Sequence, residues 1–119
     1  MNIPQNVLDC VSGSTPEDWH QHKNGGGWVY KTASVDESAY VGPKAQVYGN
    51  ARVYGDARVF DNAQVYGNAW VSGNAWVLGD AWVFGNAWVS GNAWVFGDAR
   101  VSGKAWVYGD ARVSDEIAK

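Results

Sequence analysis

Apolar and polar positions alternate along most of this chain with a period of six residues. From Ala33 to Ala111 an alanine recurs at every sixth position without interruption, and each alanine is followed two positions later by a valine. Alternation over Ala-x-Val is typical of a short strand that presents alanine and valine on one face. Because so short a strand cannot bury its apolar face alone, the repeats must stack on one another. The pattern therefore predicts a solenoid.

The polar half of the repeat predicts where the chain turns. A variable residue follows each valine, and the next two positions are usually glycine and then asparagine or aspartate, as in Gly73-Asn74 and Gly91-Asn92. These residue types tolerate positive φ angles at low energetic cost. Each hexapeptide is therefore predicted to form one strand and one corner.

The size and charge of the side chains decide which face of the strands points inward. If the residue between alanine and valine faced the core, the interior would hold tryptophans beside arginines such as Arg52 and Arg58. Burying unpaired charges in this way costs several kcal/mol for each group. The alanine and valine set is uniformly small and apolar instead. We predict a narrow core of alanine and valine with the tryptophan rings outside.

The repeat resembles that of the bacterial transferase hexapeptide superfamily. In that superfamily an aliphatic residue is followed four positions later by a small one, as in Val71 and Ala75 here, continuing to Val107 and Ala111. The resemblance covers residues 33–116. It implies an all-β fold, a left-handed parallel β-helix of triangular cross-section with three hexapeptides in each of four to five coils.

The sequence leaves two coil lengths open. Residues 71–88 match residues 89–106 at 14 of 18 positions, which favours eighteen residues per coil and three faces. Residues 71–82 match residues 83–94 at 9 of 12 positions, which fits a flat solenoid of two sheets. With three faces, outward side chains one coil apart form ladders. The three ladders would be Arg52, Trp70, Trp88 and Trp106; Arg58, Trp76, Trp94 and Arg112; and Gln46, Gln64, Trp82 and Arg100.

The residues outside the repeat predict a cap and a tail. Residues 1–32 do not repeat, and we interpret them as an N-terminal cap because an uncovered β-helix end exposes unpaired backbone groups. Thr15-Pro16-Glu17-Asp18 has the order of a helix N-cap followed by proline and acidic residues, which predicts a short helix over about residues 16–22. The repeat domain is assigned to residues 33–116 and the tail to residues 117–119. The Gly-Gly-Trp-Val stretch before the repeats also resembles the entry segment of some bacterial and prophage-encoded hexapeptide proteins. Together with the near-identical repeats, this resemblance suggests a phage or prophage origin.

Composition narrows the function classes. The 119 residues and net charge of −3 indicate one domain without the basic surface that nucleic-acid binding requires. The first residues lack a signal-peptide pattern, and no segment is apolar enough to span a membrane. The single Cys10 cannot form an internal disulfide, which is compatible with a reducing compartment. We expect a protein of the bacterial cytoplasm, or of a phage-infected host's cytoplasm, that binds neither nucleic acid nor membranes.

The positions of the histidines bear on whether the protein could be an enzyme. The resemblance implies that acyltransferases of this superfamily use a histidine as general base at a boundary between the subunits of a trimer. The repeats contain no histidine, and the two in the chain, His20 and His22, lie in the predicted cap. A general base must be held within hydrogen-bond reach of its substrate, which a segment beside Gly25-Gly26-Gly27 does poorly. We expect no catalytic residue, cofactor or metal, and keep His20 and His22 as the candidates for an acyltransferase.

The outward tryptophans are not explained by the fold alone. Six of the eight tryptophans lie at the outward position of a repeat, where stacked neighbours would form apolar areas larger than soluble monomers usually expose. On one ladder, arginines at both ends form a polar rim around an apolar centre, as interfaces tend to have. This predicted self-association surface comprises Phe60, Trp76, Leu78, Trp94 and Phe96 with the rim residues Arg58 and Arg112. The candidate surface for a planar ligand comprises Trp70, Trp88 and Trp106 with Ser72 and Ser90.

These observations give one leading hypothesis and two alternatives. The leading hypothesis is a non-catalytic β-helical interaction or scaffold protein that forms a dimer or trimer through its tryptophan-rich faces and binds a host protein or small ligand. The first alternative is an acyltransferase that uses His20 or His22. The second is a sugar or nucleotide binder that uses its aromatic face.

Overall fold

In the computed structural model, which describes residues 3–118, short strands wind into an all-β parallel β-solenoid of about five turns. A strand recurs every six residues, and strands one coil apart pair in parallel, with Trp70 opposite Trp88 and Trp88 opposite Trp106. The pairing joins residues eighteen positions apart and produces three sheets. The prediction of a three-faced coil is confirmed, and the two-sheet alternative is wrong.

The strands fall into three sheets, and helical structure within the described residues is confined to two short segments near the N-terminus. These segments are α1 (Gln5–Leu8) and a 3-10 turn (Pro16–Asp18). Sheet A contains, in spatial order, β1 (Trp19–Gln21), β2 (Trp28–Tyr30), β5 (Gln46–Val47), β8 (Gln64–Val65), β11 (Trp82–Val83), β14 (Arg100–Ser102) and β17 (Glu116–Ala118). Sheet B contains β3 (Ser34–Val35), β6 (Arg52–Val53), β9 (Trp70–Val71), β12 (Trp88–Val89) and β15 (Trp106–Val107). Sheet C contains β4 (Tyr40–Val41), β7 (Arg58–Val59), β10 (Trp76–Val77), β13 (Trp94–Val95) and β16 (Arg112–Val113).

The core consists of the repeated alanines and valines. Every alanine from Ala39 to Ala105 and every valine from Val41 to Val101 is fully buried. The outward residue of each strand is exposed or partly exposed through the repeats that follow Gln46. The predicted orientation is confirmed, because two sizes of small aliphatic side chain fill a prism too narrow for rings or charges.

The corners need backbone conformations that few residues adopt. Gly73 has a φ of 66°, and a Cβ atom at this position would lie 3.1 Å from the backbone nitrogen of Gly91 in the next coil. A side chain there would be strained both by its backbone conformation and by its neighbour. Asp61 takes the same conformation, with a φ of 58°, and its carboxylate accepts a hydrogen bond from the N–H of Gly79 at 3.2 Å.

The sheets begin earlier than residue 33. Trp28 pairs with Gln46 in the eighteen-residue register, and Val29 joins the buried core. Gly27 occupies the position that alanine holds in later repeats, where a Cβ atom would lie 2.3 Å from the carbonyl oxygen of Gly42. Glycine replaces alanine because this coil has no room for a methyl group.

The predicted helix over residues 16–22 is shorter in the structure. Its start is as expected, since the Asp18 carboxylate accepts a hydrogen bond from the N–H of Thr15 at 2.9 Å. The 3-10 turn ends at Asp18, and β1 then pairs antiparallel with β2. Trp19 is buried against Val7 and Trp28, so tertiary packing draws the chain into a strand.

The two ends of the solenoid differ. At the N-terminal end, β1 covers the edge of sheet A, and Gly27 and Asn24 form backbone hydrogen bonds with Val41 of β4. At the other end β15, β16 and β17 are the last strands of their sheets, and no described strand pairs with their far sides. Glu116 pairs with Arg100, a separation of sixteen residues, because the last corner is two residues shorter than the others.

Candidate functional site on the aromatic ladders

The ladder on sheet C is closed by arginine at both ends. The rings of Trp76 and Trp94 stack in parallel with their centroids 5.0 Å apart. The Arg112 guanidinium lies 4.3 Å from the Trp94 ring centroid, and the Arg58 guanidinium lies 5.8 Å from that of Trp76. We call these four residues the closed ladder. Cation–π contacts cover both outer faces of its ring stack.

The ladder on sheet B is closed at one end only. Trp70 and Trp88 stack with centroids 4.7 Å apart, and Trp88 and Trp106 stack at 5.2 Å. The Arg52 guanidinium lies 5.2 Å from the Trp70 ring centroid at the N-terminal end. Among the residues described, no ring or guanidinium lies over the other side of Trp106. We call Arg52, Trp70, Trp88 and Trp106 the open ladder.

Sheet A carries a single ring in its ladder, and that ring is covered. The Arg100 guanidinium lies 4.3 Å from the Trp82 ring centroid, and Tyr66 contacts Trp82 edge-on at 6.0 Å. Arg100 also donates hydrogen bonds to the carbonyl oxygens of Asp80 and Asp98, which fix the guanidinium in place. Two of the three ladders thus have an arginine over the last ring, and the open ladder does not.

The exposure of the tryptophan rings follows the difference between the closed ladder and the open ladder. Trp88, Trp106 and Tyr108 are the large hydrophobic residues that stand out as exposed, at 39%, 64% and 66% of their surface. By contrast, Trp76 and Trp94 of the closed ladder are only partly exposed. The apolar surface available to a partner is therefore concentrated at the C-terminal end of sheet B.

A groove lies at this end of the open ladder. It is lined by Trp88, Ser90, Trp106 and Tyr108 and encloses about 310 Å³. Three of the five candidate ligand-face residues, Trp88, Trp106 and Ser90, meet here, whereas Trp70 and Ser72 lie outside the groove. Tyr108, the fourth residue that lines the groove, is not among the site residues predicted from the sequence. The signal that could have identified it is its position two residues after the last tryptophan of the ladder.

The predicted self-association surface lies together on sheet C. Phe60 contacts the Trp76 ring edge-on at 5.7 Å, and Leu78 and Phe96 follow the corresponding strands. All five apolar members are partly exposed, and the rim residues Arg58 and Arg112 are exposed. The arginines cover ring faces as well as flanking them, which reduces the apolar area that this surface presents.

The two histidines have different environments. The His22 side chain is buried, and its Nε2 atom lies 2.8 Å from the carbonyl oxygen of Ala39. Because a carbonyl only accepts hydrogen bonds, Nε2 carries a proton and donates it, which joins the N-terminal segment to the coil. His20 is exposed on β1, opposite Val29. No group of three potential metal-ligating side chains occurs within residues 3–118.

Two groups with raised pKa values lie where the N-terminal cap packs against the coil. Burial raises the pKa of the Cys10 thiol, and burial together with the nearby Cys10 raises the pKa of the Tyr48 phenol. The neutral Tyr48 hydroxyl donates a hydrogen bond of 2.7 Å to Oε1 of Gln64. The raised pKa values keep both the thiol and the phenol neutral beneath the cap, which fits a packing role.

A family model described as YdcK Beta solenoid repeat matches four segments of the chain, at residues 45–61, 51–66, 63–79 and 93–109. The chain is a β-solenoid repeat protein. These matches fall on the coils that carry the aromatic ladders. No curated protein and no solved structure matches the chain. Within the described residues, neither helix has the length or apolar character needed to cross a bilayer.

Proposed function

We propose that this β-solenoid is a non-catalytic interaction protein that self-associates through the C-terminal end of the open ladder. The single observation that carries the proposal is the exposure of Trp106 and Tyr108, which are 64% and 66% exposed beside a stack of covered rings. Large aromatic side chains at a concave, apolar surface are the residues that most often dominate binding energy at interfaces. A non-catalytic role is supported by the position of His22, because its Nε2 proton is donated to the backbone carbonyl of Ala39.

Sedimentation velocity of the full chain tests this proposal. We expect the wild type to show a concentration-dependent rise in mass that Trp106→Ser combined with Tyr108→Ser removes. The companion variant Trp76→Ser with Trp94→Ser tests the surface predicted on sheet C. If the companion variant alone lowers the mass, self-association uses sheet C and the assignment to the open ladder is wrong.

The groove favours one further candidate function, the binding of a small planar ligand such as a sugar or nucleotide. Ser90 supplies a hydroxyl beside the Trp88 and Trp106 rings, and only the outer face of Trp106 is free to stack. Tryptophan fluorescence titrations with a set of monosaccharides and nucleotides test this candidate. Quenching that saturates in the wild type and is lost in Trp106→Ser supports ligand binding, while no change with any compound opposes it.

The repeat also supports proposals about the handedness of the coil and the origin of the protein. We propose that the coil is left-handed, as in the hexapeptide superfamily that its valine and alanine spacing resembles. A phage or prophage origin and a cytoplasmic location remain predictions of the sequence. The acyltransferase alternative predicts that His20→Ala combined with His22→Ala abolishes the biological effect, and an intact effect in that variant excludes it.

A further inference from the structure

We infer that a polar pocket at the corner between sheets B and C binds one neutral sugar ring. The pocket lies on the early coils, away from the groove of the open ladder. It encloses about 330 Å³, which is within the range of small-ligand pockets, and its lining includes Asn24, Tyr40, Asp56, Arg58, Asn74 and Trp76. The inference does not depend on the proposed self-association.

The loop over residues 22–27 forms one wall of the pocket and is fixed to the first strand of sheet C. The carbonyl oxygen of Asn24 accepts a hydrogen bond of 3.0 Å from the N–H of Val41. Its side-chain amide donates to the carbonyl oxygen of Ser38 at 3.4 Å. Gly25 lies so close to this strand that a Cβ atom there would be 2.3 Å from the carbonyl oxygen of Val41. The wall is therefore in place before a ligand arrives.

Arg58 is held between two aromatic rings, but its N–H groups have no acceptor. The guanidinium lies 5.8 Å from the ring centroid of Tyr40 and 5.8 Å from that of Trp76. Within residues 3–118, no hydrogen bond or ion pair joins it to another residue. The two rings restrict the movement of the guanidinium and leave its N–H groups available. A donor group fixed in this way binds an acceptor at a low entropic cost.

The unit Asp-Ala-Arg occurs three times in the chain, and Arg58 differs from the other two arginines. In the later units, Arg100 and Arg112 each donate a hydrogen bond to the carbonyl oxygen of the unit's own aspartate, at 2.9 and 3.0 Å. Arg58 forms no such bond with Asp56. The same unit is thus satisfied within the fold at two corners and has unused hydrogen-bonding groups at the pocket.

The side chains of Asp56 and Asn74, one coil apart at this corner, do not satisfy each other either. At another corner the amide of Asn62 donates to the carboxylate of Asp80 in the next coil, at 3.2 Å. At the pocket the aspartate comes first and the asparagine second, and in the part of the chain that the structure describes no hydrogen bond joins their side chains. Both side chains are exposed and remain available to a ligand.

These available groups suit a ligand whose hydroxyls both donate and accept hydrogen bonds. Arg58 only donates, the Asp56 carboxylate only accepts, and the Asn74 amide does both. Adjacent hydroxyls of one sugar ring can therefore meet all three groups. The opposite charges of Arg58 and Asp56 favour a ligand without net charge. Tyr40 and Trp76 line the same pocket and supply an apolar contact for the C–H groups of the ring.

Phosphate and a zwitterionic amino acid are the competing ligands. Phosphate would bring its charges beside the Asp56 carboxylate, and repulsion between like charges disfavours that arrangement. An amino acid would satisfy Arg58 and Asp56 through its two charged groups but does not need the amides of Asn24 and Asn74. Sodium phosphate and glycine therefore serve as the competing probes in the experiment.

Saturation-transfer NMR on the full chain tests the inference with glucose, galactose, mannose and N-acetylglucosamine. We expect at least one of them to bind with a dissociation constant of about 1 mM, and Asp56→Asn and Arg58→Gln each to weaken it about tenfold. Each sugar is also tested as its methyl glycoside. Binding of the glycoside identifies the ligand as the end of a glycan, and binding of the free sugar alone identifies it as a monosaccharide.

Matched controls use the last Asp-Ala-Arg unit on the same sheet. Asp110→Asn and Arg112→Gln make the same changes there, and we expect sugar binding to be unchanged. Asparagine and glutamine occur at these positions of other repeats, as at Asn74 and Gln64, so the variants keep residue types that the fold accepts. Equal weakening by the control variants would contradict the assignment to this pocket.

Three further outcomes would overturn the inference. The first is no binding of any sugar at concentrations up to about 10 mM. The second is binding of phosphate or glycine in place of the sugars. The third is sugar binding that Trp106→Ser removes and Asp56→Asn leaves intact, which would assign the sugar to the groove of the open ladder. The proposed function is tested separately, because the sedimentation of the Trp106→Ser and Tyr108→Ser variant does not involve this pocket.

Discussion

The closed ladder on sheet C and the open ladder on sheet B have the same repeat unit and different endings. Both contain parallel tryptophan stacks over a buried row of valines, with centroids 4.7 to 5.2 Å apart. One coil further, sheet C has Arg112 stacked on its last ring, whereas sheet B ends in Trp106. A single outward position therefore decides whether the last ring of a ladder is covered by a guanidinium or keeps an exposed face.

The comparison also shows that the number of tryptophans in a ladder does not indicate where its apolar surface is exposed. An inner ring has both of its faces covered, so only its edge is accessible. A terminal ring keeps a free face and contributes most of the apolar area. Exposure of 39% for Trp88 and 64% for Trp106 on the same ladder illustrates the effect of one additional neighbour.

The largest stability difference is expected between an inner and a terminal ring. Trp94→Ser removes stacking contacts on both sides of the ring and should lower the free energy of unfolding by about 2–3 kcal/mol. Trp106→Ser removes one stack from an exposed position and should cost about 0.5–1 kcal/mol. Chemical denaturation of both variants measures the difference. Equal losses would show that the two endings are energetically the same.

Exchanging the two endings should exchange their behaviour. Trp106→Arg places a guanidinium over Trp88 and closes the open ladder, so self-association should weaken about tenfold, or about 1.4 kcal/mol, with little change in the unfolding free energy. Arg112→Trp opens the ladder on sheet C and should add a second concentration-dependent contact. Sedimentation velocity over a range of concentrations tests both variants, and an unchanged Trp106→Arg profile would refute the role given to the free ring face.

The smallest effect concerns the arginines themselves. The Arg112 guanidinium lies 4.3 Å from its ring centroid and that of Arg52 lies 5.2 Å from its own. We expect Arg112→Ala to cost about 0.5–1 kcal/mol and Arg52→Ala about half as much, because the cation–π attraction weakens with distance and exposure. Thermal unfolding of the two variants, with Lys44→Ala as a surface control, ranks them. A larger loss for Arg52→Ala would contradict this order.

Much of the fold could be predicted from the periodicity. The inward set from Ala39 to Val101 and the corner glycines repeat without interruption, so period and residue size specified the core and the strand positions. The ends were harder to predict because their residues do not repeat. Gly27 takes an alanine position, and Trp19 is drawn into a strand by the buried cluster with Val7. Neither feature has a local signal comparable to the repeat.

The aromatic ladders could be predicted from the sequence, but the place of Tyr108 in the groove and the difference in exposure between the ladders could not. The sequence predicted two tryptophan sets, and the eighteen-residue register places them on two separate sheets. One set has arginines at its ends and contains Trp76 and Trp94. The other set has serines beside it and contains Trp70, Trp88 and Trp106. The sequence could not show that the Arg112 side chain turns back over Trp94. Side-chain direction depends on the neighbouring coil, and that neighbour is eighteen residues away in the chain.

Local chemistry was sufficient for the hexapeptide unit, since strand, corner and core face each follow from the size and φ preference of one or two residues. Coil length and the contacts of each ring were decided by stacking, because both depend on which residues lie one coil apart. The exposure of each outward ring is also a tertiary property, because it depends on whether a ring or a guanidinium of the neighbouring coil lies over it.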